Sequence, residues 1–158
     1  MIFIPRAQWH SVSRLGAHMG VVDTVFIHHS VTTATADPCG DALAIERIGI
    51  TRFGKLSYSH MVHPSGVVLE GQADHVGAHT EGWNSRSVGV CLIGNMLTHP
   101  ITDQALQATV DLINIMRLFK GISANPRVLP HRAVQQTACP GLPDNKLNWI
   151  RYFTSGRG

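Results

Sequence analysis

The run VVDTVFIHHSVTT, residues 21–33, carries Val25, Phe26 and Ile27 straight into a histidine pair, His28 and His29. Such an apolar run reads as a buried strand. Neighbours on an extended strand point to opposite faces, so only one of the two imidazoles can face a site at the strand's end. Working outward, Asp37-Pro38 pairs an N-cap type with proline at the first helical turn and predicts a helix through about Ile48. LSYSHMVH and GVVLEG flank PSG as a hairpin would, and SVGVCLIGN reads as another apolar strand ending at Gly94-Asn95. From about Thr102 to Phe119, Leu106, Val110 and Ile113 recur at helical spacing, with Leu112, Met116 and Phe119 as a second stripe and Gly121 as the stop. NPRVLPHRAV predicts a short strand and DNKLNWIRYF a terminal helix. Strands alternating with helices predict an α/β layer architecture, and a hairpin within it makes the sheet mixed.

At 158 residues the chain fits one domain, long enough to bury about two-thirds of its unfolded surface. Its 44% hydrophobic and 15% charged residues are those of an ordinary soluble globular protein. A net charge of +3 favours an acidic partner, but the basic residues are scattered without interleaved aromatics, so nucleic acid is not an expected one. No stretch is apolar enough to span a bilayer, and stable membrane insertion is not expected. Three cysteines, an odd number, make no disulfide framework and fit synthesis in a reducing compartment. Pro5, Arg6, Gln8 and His10 interrupt the apolar core that a signal peptide would need.

HRAVQQTACPG, residues 131–141, sets one imidazole and one thiol eight positions apart, just before a Pro-Gly turn. Zinc catalysis needs about three protein ligands and one open position for water. His131 and Cys139 supply two ligands from one loop, and a distant strand end offers the third from His28 or His29. By spacing alone the same residues also fit a cysteine nucleophile with His131 as base, or a small buried thiol beside a turn.

The surroundings of these residues decide between them. HRAVQQTACPG resembles the closing motif of the zinc-dependent N-acetylmuramoyl-L-alanine amidases of the Amidase_2 and peptidoglycan-recognition-protein superfamily. VFIHHSVTT, SYSHMVHPSGVVLEG and VGAHTEGWNSRSVGVCLIGN continue the match in the family's order, and IPRAQW resembles the opening of the recognition-protein branch. The similarity covers roughly residues 3–150, and the chain looks most like the small amidase-type lysozymes of bacteriophages. It implies one zinc amidase domain over residues 1–158, with a central mixed, partly parallel sheet flanked by about three helices.

Residue by residue, the resemblance implies His28, His131 and Cys139 as zinc ligands, Tyr58 as the catalytic tyrosine and Thr137 as an aid to it. It also implies that His79 lines a substrate groove; Asn84 and Trp83 follow as substrate-side candidates, with Trp83 able to stack on a sugar or to pack in the core. Gln72 stands where the family usually has arginine, Lys55 where it often has aspartate, and Cys39 lacks the recognition proteins' paired cysteine. These departures bear on substrate preference and leave the ligand set intact. His60, two positions from Tyr58, would share its face if the strand already ran through both; it reads equally as a core histidine. Glu70 and Glu81 are general-base candidates by type only.

The implied reaction is hydrolysis of the amide between the N-acetylmuramic acid lactyl group and L-alanine of peptidoglycan. Zinc lowers the pKa of a bound water from 15.7 to about 7 and polarises the scissile carbonyl. The implied setting is an endolysin: a monomer made in a host cytoplasm without a signal peptide, released to the wall by a separate protein. A peptidoglycan-binding module without catalysis is the rival reading.

Overall fold

In the computed structural model, which describes residues 1–156, the chain forms one mixed sheet with helices on both sides. The elements, in chain order, are β1 Phe3–Ile4, β2 Val22–His29, α1 Pro38–Phe53, β3 His60–Val62, β4 Val68–Glu70, β5 Ser87–Leu92, α2 Asp103–Leu118, β6 Ile122–Pro130 and α3 Asp144–Thr154. The six strands lie in the order β1-β4-β3-β5-β2-β6. Among the described residues the β3–β4 hairpin pairs antiparallel and the other strand pairings of the sheet are parallel, which gives the mixed sheet and three helices expected.

Each helix begins and ends for a local reason. Asp37 occupies the N-cap of α1 without a side-chain bond, Pro38 follows at the first turn, and Gly54 closes the helix in the left-handed region. The helix therefore runs a turn beyond its expected end. Thr102 caps α2 by accepting from Ala105 N–H at 3.1 Å. At its other end Lys120, not Gly121, takes the positive φ of 61°. Phe119 falls past the last helical residue and is 82% exposed, so it does not extend the Leu112–Met116 stripe.

Alternation along the strands separates two cores. Val25, Ile27, Val62, Val90 and Leu92 meet Leu106, Val110 and Ile113 of α2 and Leu147 and Ile150 of α3. On the opposite face Met61, Leu69 and Cys91 meet Ala42 and Ile45 of α1, with Trp9 and Leu56. The chain leaves β2 toward α1 and leaves β5 toward α2, on opposite faces of the sheet. Adjacent parallel strands whose connections diverge open a crevice at their carboxyl ends, and His28 and His29 sit there.

Candidate metal centre

Parallel pairing of β2 with β6 sets Ile27 opposite Pro130, so His28 and His131 leave neighbouring strand ends side by side. Their rings meet edge-on with centroids 4.6 Å apart. His131 opens a 3₁₀ turn, and the loop after it folds back: Arg132 N–H donates to the Cys139 carbonyl at 2.9 Å. Arg132 Nη2 pins the loop's far end through the Leu142 carbonyl at 2.8 Å and Asp144 Oδ1 at 3.2 Å. The thiol is thereby turned onto β2, where Cys139 Sγ accepts from His29 N–H at 3.4 Å.

One ligand atom each from His28, His131 and Cys139 lies within 4.8 Å of the others. A tetrahedral zinc about 2.3 Å from sulfur and about 2.0–2.1 Å from nitrogen sets those two atoms about 3.6 Å apart. Cys139 Sγ and His28 Nδ1 are 3.6 Å apart. The donor set, two imidazoles and a thiol, also suits that ion. Burial, and then the neighbouring histidines, hold the His28 pKa well below its ordinary value, so the ring is neutral and able to ligate. Burial pushes the Cys139 thiol up to about 11, against the opposing pull of the His29 N–H and Arg132. The thiolate needs a cation beside it.

The two histidines at the end of β2 face opposite ways, as alternation requires. His28 turns to the donor cluster, while His29 Nδ1 accepts from Met96 N–H at 3.1 Å and steadies the loop after β5. Tyr58 lies just before β3 with its ring 5.4 Å from that of His28. Its carbonyl accepts from Gln72 N–H at 2.9 Å, and a Cβ on Gly71 would come within 2.3 Å of that same oxygen, which explains the glycine. Burial, then the Cys91 and Cys139 thiols, raise the Tyr58 pKa, which keeps its hydroxyl protonated. Thr137 is exposed on the loop, and its Oγ1 accepts from Cys139 N–H at 3.2 Å.

The remaining candidates are placed differently. His79 is buried and reaches His28, with Nδ1 3.2 Å from His28 Nε2. Asn84 Oδ1 accepts from the backbone N–H groups of His79 and Thr80, each at 2.8 Å, and so shapes their turn. Trp83 packs edge-on against Phe26 at 5.4 Å and carries the Arg86 guanidinium 3.8 Å over its ring. His60 shares a face with Val62 and lies across from Val90, on the α2 side, because the extended run begins only at His60 and leaves Tyr58 outside it. Glu70 accepts from Arg6 N–H at 3.3 Å, a hairpin-bracing contact. Gln72 is fully buried, donating to the Arg14 and Leu56 carbonyls at 3.0 Å each, so no charge faces a substrate from that position.

Sequence reasoning missed two residues. Gln135 Oε1 meets His131 Nε2, leaving Nδ1 as the free nitrogen, and Gln135 Nε2 reaches the Glu81 carbonyl at 3.1 Å. Thr80 Oγ1 stands 3.1 Å from His28 Nε2. Their polar types inside motif-rich stretches were the only signal.

Residues 18–142 match the family described as N-acetylmuramoyl-L-alanine amidase, Amidase_2. The chain belongs to that family. It is 31% identical to a peptidoglycan-recognition protein of Drosophila melanogaster, over 98% of this chain and 88% of that one. It is 33% identical to the N-acetylmuramoyl-L-alanine amidase of Sus scrofa over 93% of this chain, but only 26% of the pig protein is matched. Drosophila recognition protein SA superposes with a TM-score of 0.86 at 26% identity, over 94% of this chain and 92% of that one. Recognition protein LE, solved with tracheal cytotoxin, a monomeric diaminopimelic acid-type peptidoglycan, gives 0.85 at 25% identity over 94% of each chain.

These relatives correct the expected localisation. They are named as animal proteins from an insect and a mammal, and they do not support synthesis in a bacteriophage's host cytoplasm followed by release. Among the described residues no helix is long and apolar enough to cross a membrane.

Proposed function

We propose that residues 1–158 form a single zinc-dependent amidase domain that hydrolyses the bond between N-acetylmuramic acid and L-alanine of peptidoglycan. The reading rests on one observation above all: a strand end and a distant loop bring two imidazoles and a thiol within 4.8 Å of one another. The family, and the peptidoglycan fragment bound by recognition protein LE, support the substrate class. The bacteriophage setting is not carried over.

When bound, zinc held by His28, His131 and Cys139 would acidify a water and polarise the scissile carbonyl. The chain's own residues supply the rest. As hydrolysis builds negative charge on the carbonyl oxygen, a protonated Tyr58 beside His28 donates a hydrogen bond to it. Thr137, whose oxygen already accepts from Cys139 N–H, keeps its own hydroxyl proton free to orient the substrate amide.

The recognition proteins among the relatives favour a second reading, a module that binds peptidoglycan without cutting it. The complete donor set with Tyr58 weighs against it. Mass spectrometry of purified peptidoglycan after digestion separates the two. New N-terminal L-alanine on intact glycan, lost on chelation, is expected. Binding without products would leave the module reading, and products that persist after exhaustive chelation would overturn the zinc chemistry.

A further inference from the structure

His79 sits against Gly89 in the middle of β5, where a Cβ would come within 2.5 Å of the His79 ring. A lone glycine inside an apolar strand marks close approach of another group, and here that group is an imidazole. In this seat His79 Nδ1 lies 3.2 Å from His28 Nε2. Thr80 Oγ1 is 2.9 Å from the first nitrogen and 3.1 Å from the second.

We propose that His79 is a positioning residue for metal binding: it accepts a hydrogen bond from His28 Nε2–H and so leaves His28 Nδ1 as the bare nitrogen facing Cys139. The proposal rests on the zinc reading above and adds what selects the ligating atom. A neutral imidazole carries its proton on one nitrogen, and the ligating nitrogen must be the other. Carboxylates and backbone carbonyls usually hold that proton. A neutral ring holds it without adding negative charge, which leaves the site's positive charge undiminished. His79 can accept at Nδ1 only with its own proton on Nε2. Its Nε2 has no hydrogen-bond partner among the described residues, so nothing there competes for that nitrogen's proton.

Two-bond proton–nitrogen correlation spectra of the metal-free, 15N-labelled chain read each histidine's tautomer. His28 with its proton on Nε2 is expected; a proton on Nδ1, or a mixture of both forms, overturns the proposal. Competition titration with Zn²⁺ and a chromophoric chelator forms the second arm. His79→Leu should bind roughly 10–100-fold more weakly. His79→Asn, whose Oδ1 can accept from the same N–H, should recover most of that loss. Equal affinity in the leucine variant and the unmodified chain overturns the assignment. Should the unmodified chain take up no zinc, the amidase reading itself falls, and the two failures are told apart because the tautomer is read without metal.

Discussion

The two faces of the sheet are made of different materials. Toward α2 and α3, Val25, Ile27, Val90 and Leu92 meet Leu106, Val110 and Ile113, hydrocarbon against hydrocarbon. Toward α1, the same strands present Phe26, His28, Gly89 and Cys91, and over them lie buried His79 and Thr80 with Tyr58 alongside. Buried polar groups destabilise a fold unless they satisfy one another. Here His28 Nε2, His79 Nδ1 and Thr80 Oγ1 meet in a triangle of contacts at 2.9–3.2 Å, while His79 Nε2 has no partner among the described residues. One strand alternation thus keeps the donor cluster to the α1 side, which has an apolar core of its own, and the two faces should be separable by substitution.

The largest separation is expected at the ligands. Cys139→Ala should lose measurable zinc and amidase activity while the metal-free protein unfolds within about 1 kcal/mol of the unmodified chain. Metal analysis beside a denaturant melt checks both halves. Stoichiometric zinc retained by the variant would break the comparison at its root. Next comes Tyr58→Phe, which should keep its zinc and lower kcat by about 10²–10³-fold. Undiminished kcat in that variant would remove Tyr58 from the reaction.

On the hydrocarbon face Ile113 is fully buried, and Ile113→Ala should cost about 2–5 kcal/mol of stability. The folded fraction should bind zinc as before. If affinity falls along with stability, the faces are coupled and the division of labour is weaker than the packing implies.

How far the sequence carries this picture depends on the kind of signal. The core of β2 and the spine of α2 are legible because Val25-Phe26-Ile27 and Leu106-Val110-Ile113 repeat with the periods of their elements. The donor trio is legible because motif order carries it. β1 is not, since two residues held by pairing to β4 have no period to read. His79 reads as a groove residue from its motif, whereas its burial depends on Gly89, fixed by tertiary approach of a ring to a strand. His60 reads as Tyr58's neighbour only if the strand starts early, and it does not.

His60 tests the same boundary by pH. It is buried on the α2 side, its Nδ1 has no partner among the described residues, and burial pushes its pKa down to about 4, with Asp74 pulling weakly the other way. Its folded pKa lies below the unfolded value of about 6.5, so its full share of stability is present above pH 6.5 and is lost as pH falls toward 4. At about 1.4 kcal/mol per unit, the loss between pH 6.5 and 5 is on the order of 2 kcal/mol. Denaturant melts of the metal-free chain and of His60→Leu at the two pH values isolate it. Parallel slopes in the two proteins would show that His60 is not held neutral.

The smallest effect is expected where the donor-bearing face meets solvent. Thr137 is exposed, and its oxygen accepts from Cys139 N–H at 3.2 Å, which leaves its own proton free to donate. Thr137→Val removes the acceptor of Cys139 N–H and the proton offered to substrate, neutral hydrogen bonds of about 0.5–1.5 kcal/mol each, and keeps the side chain's shape. Activity should fall by no more than about tenfold, with rescue in Thr137→Ser, because serine restores the hydroxyl. A fall as large as that of Tyr58→Phe would instead make Thr137 an equal donor to the developing oxyanion. The loop would then share the chemistry now assigned to the sheet's α1 face.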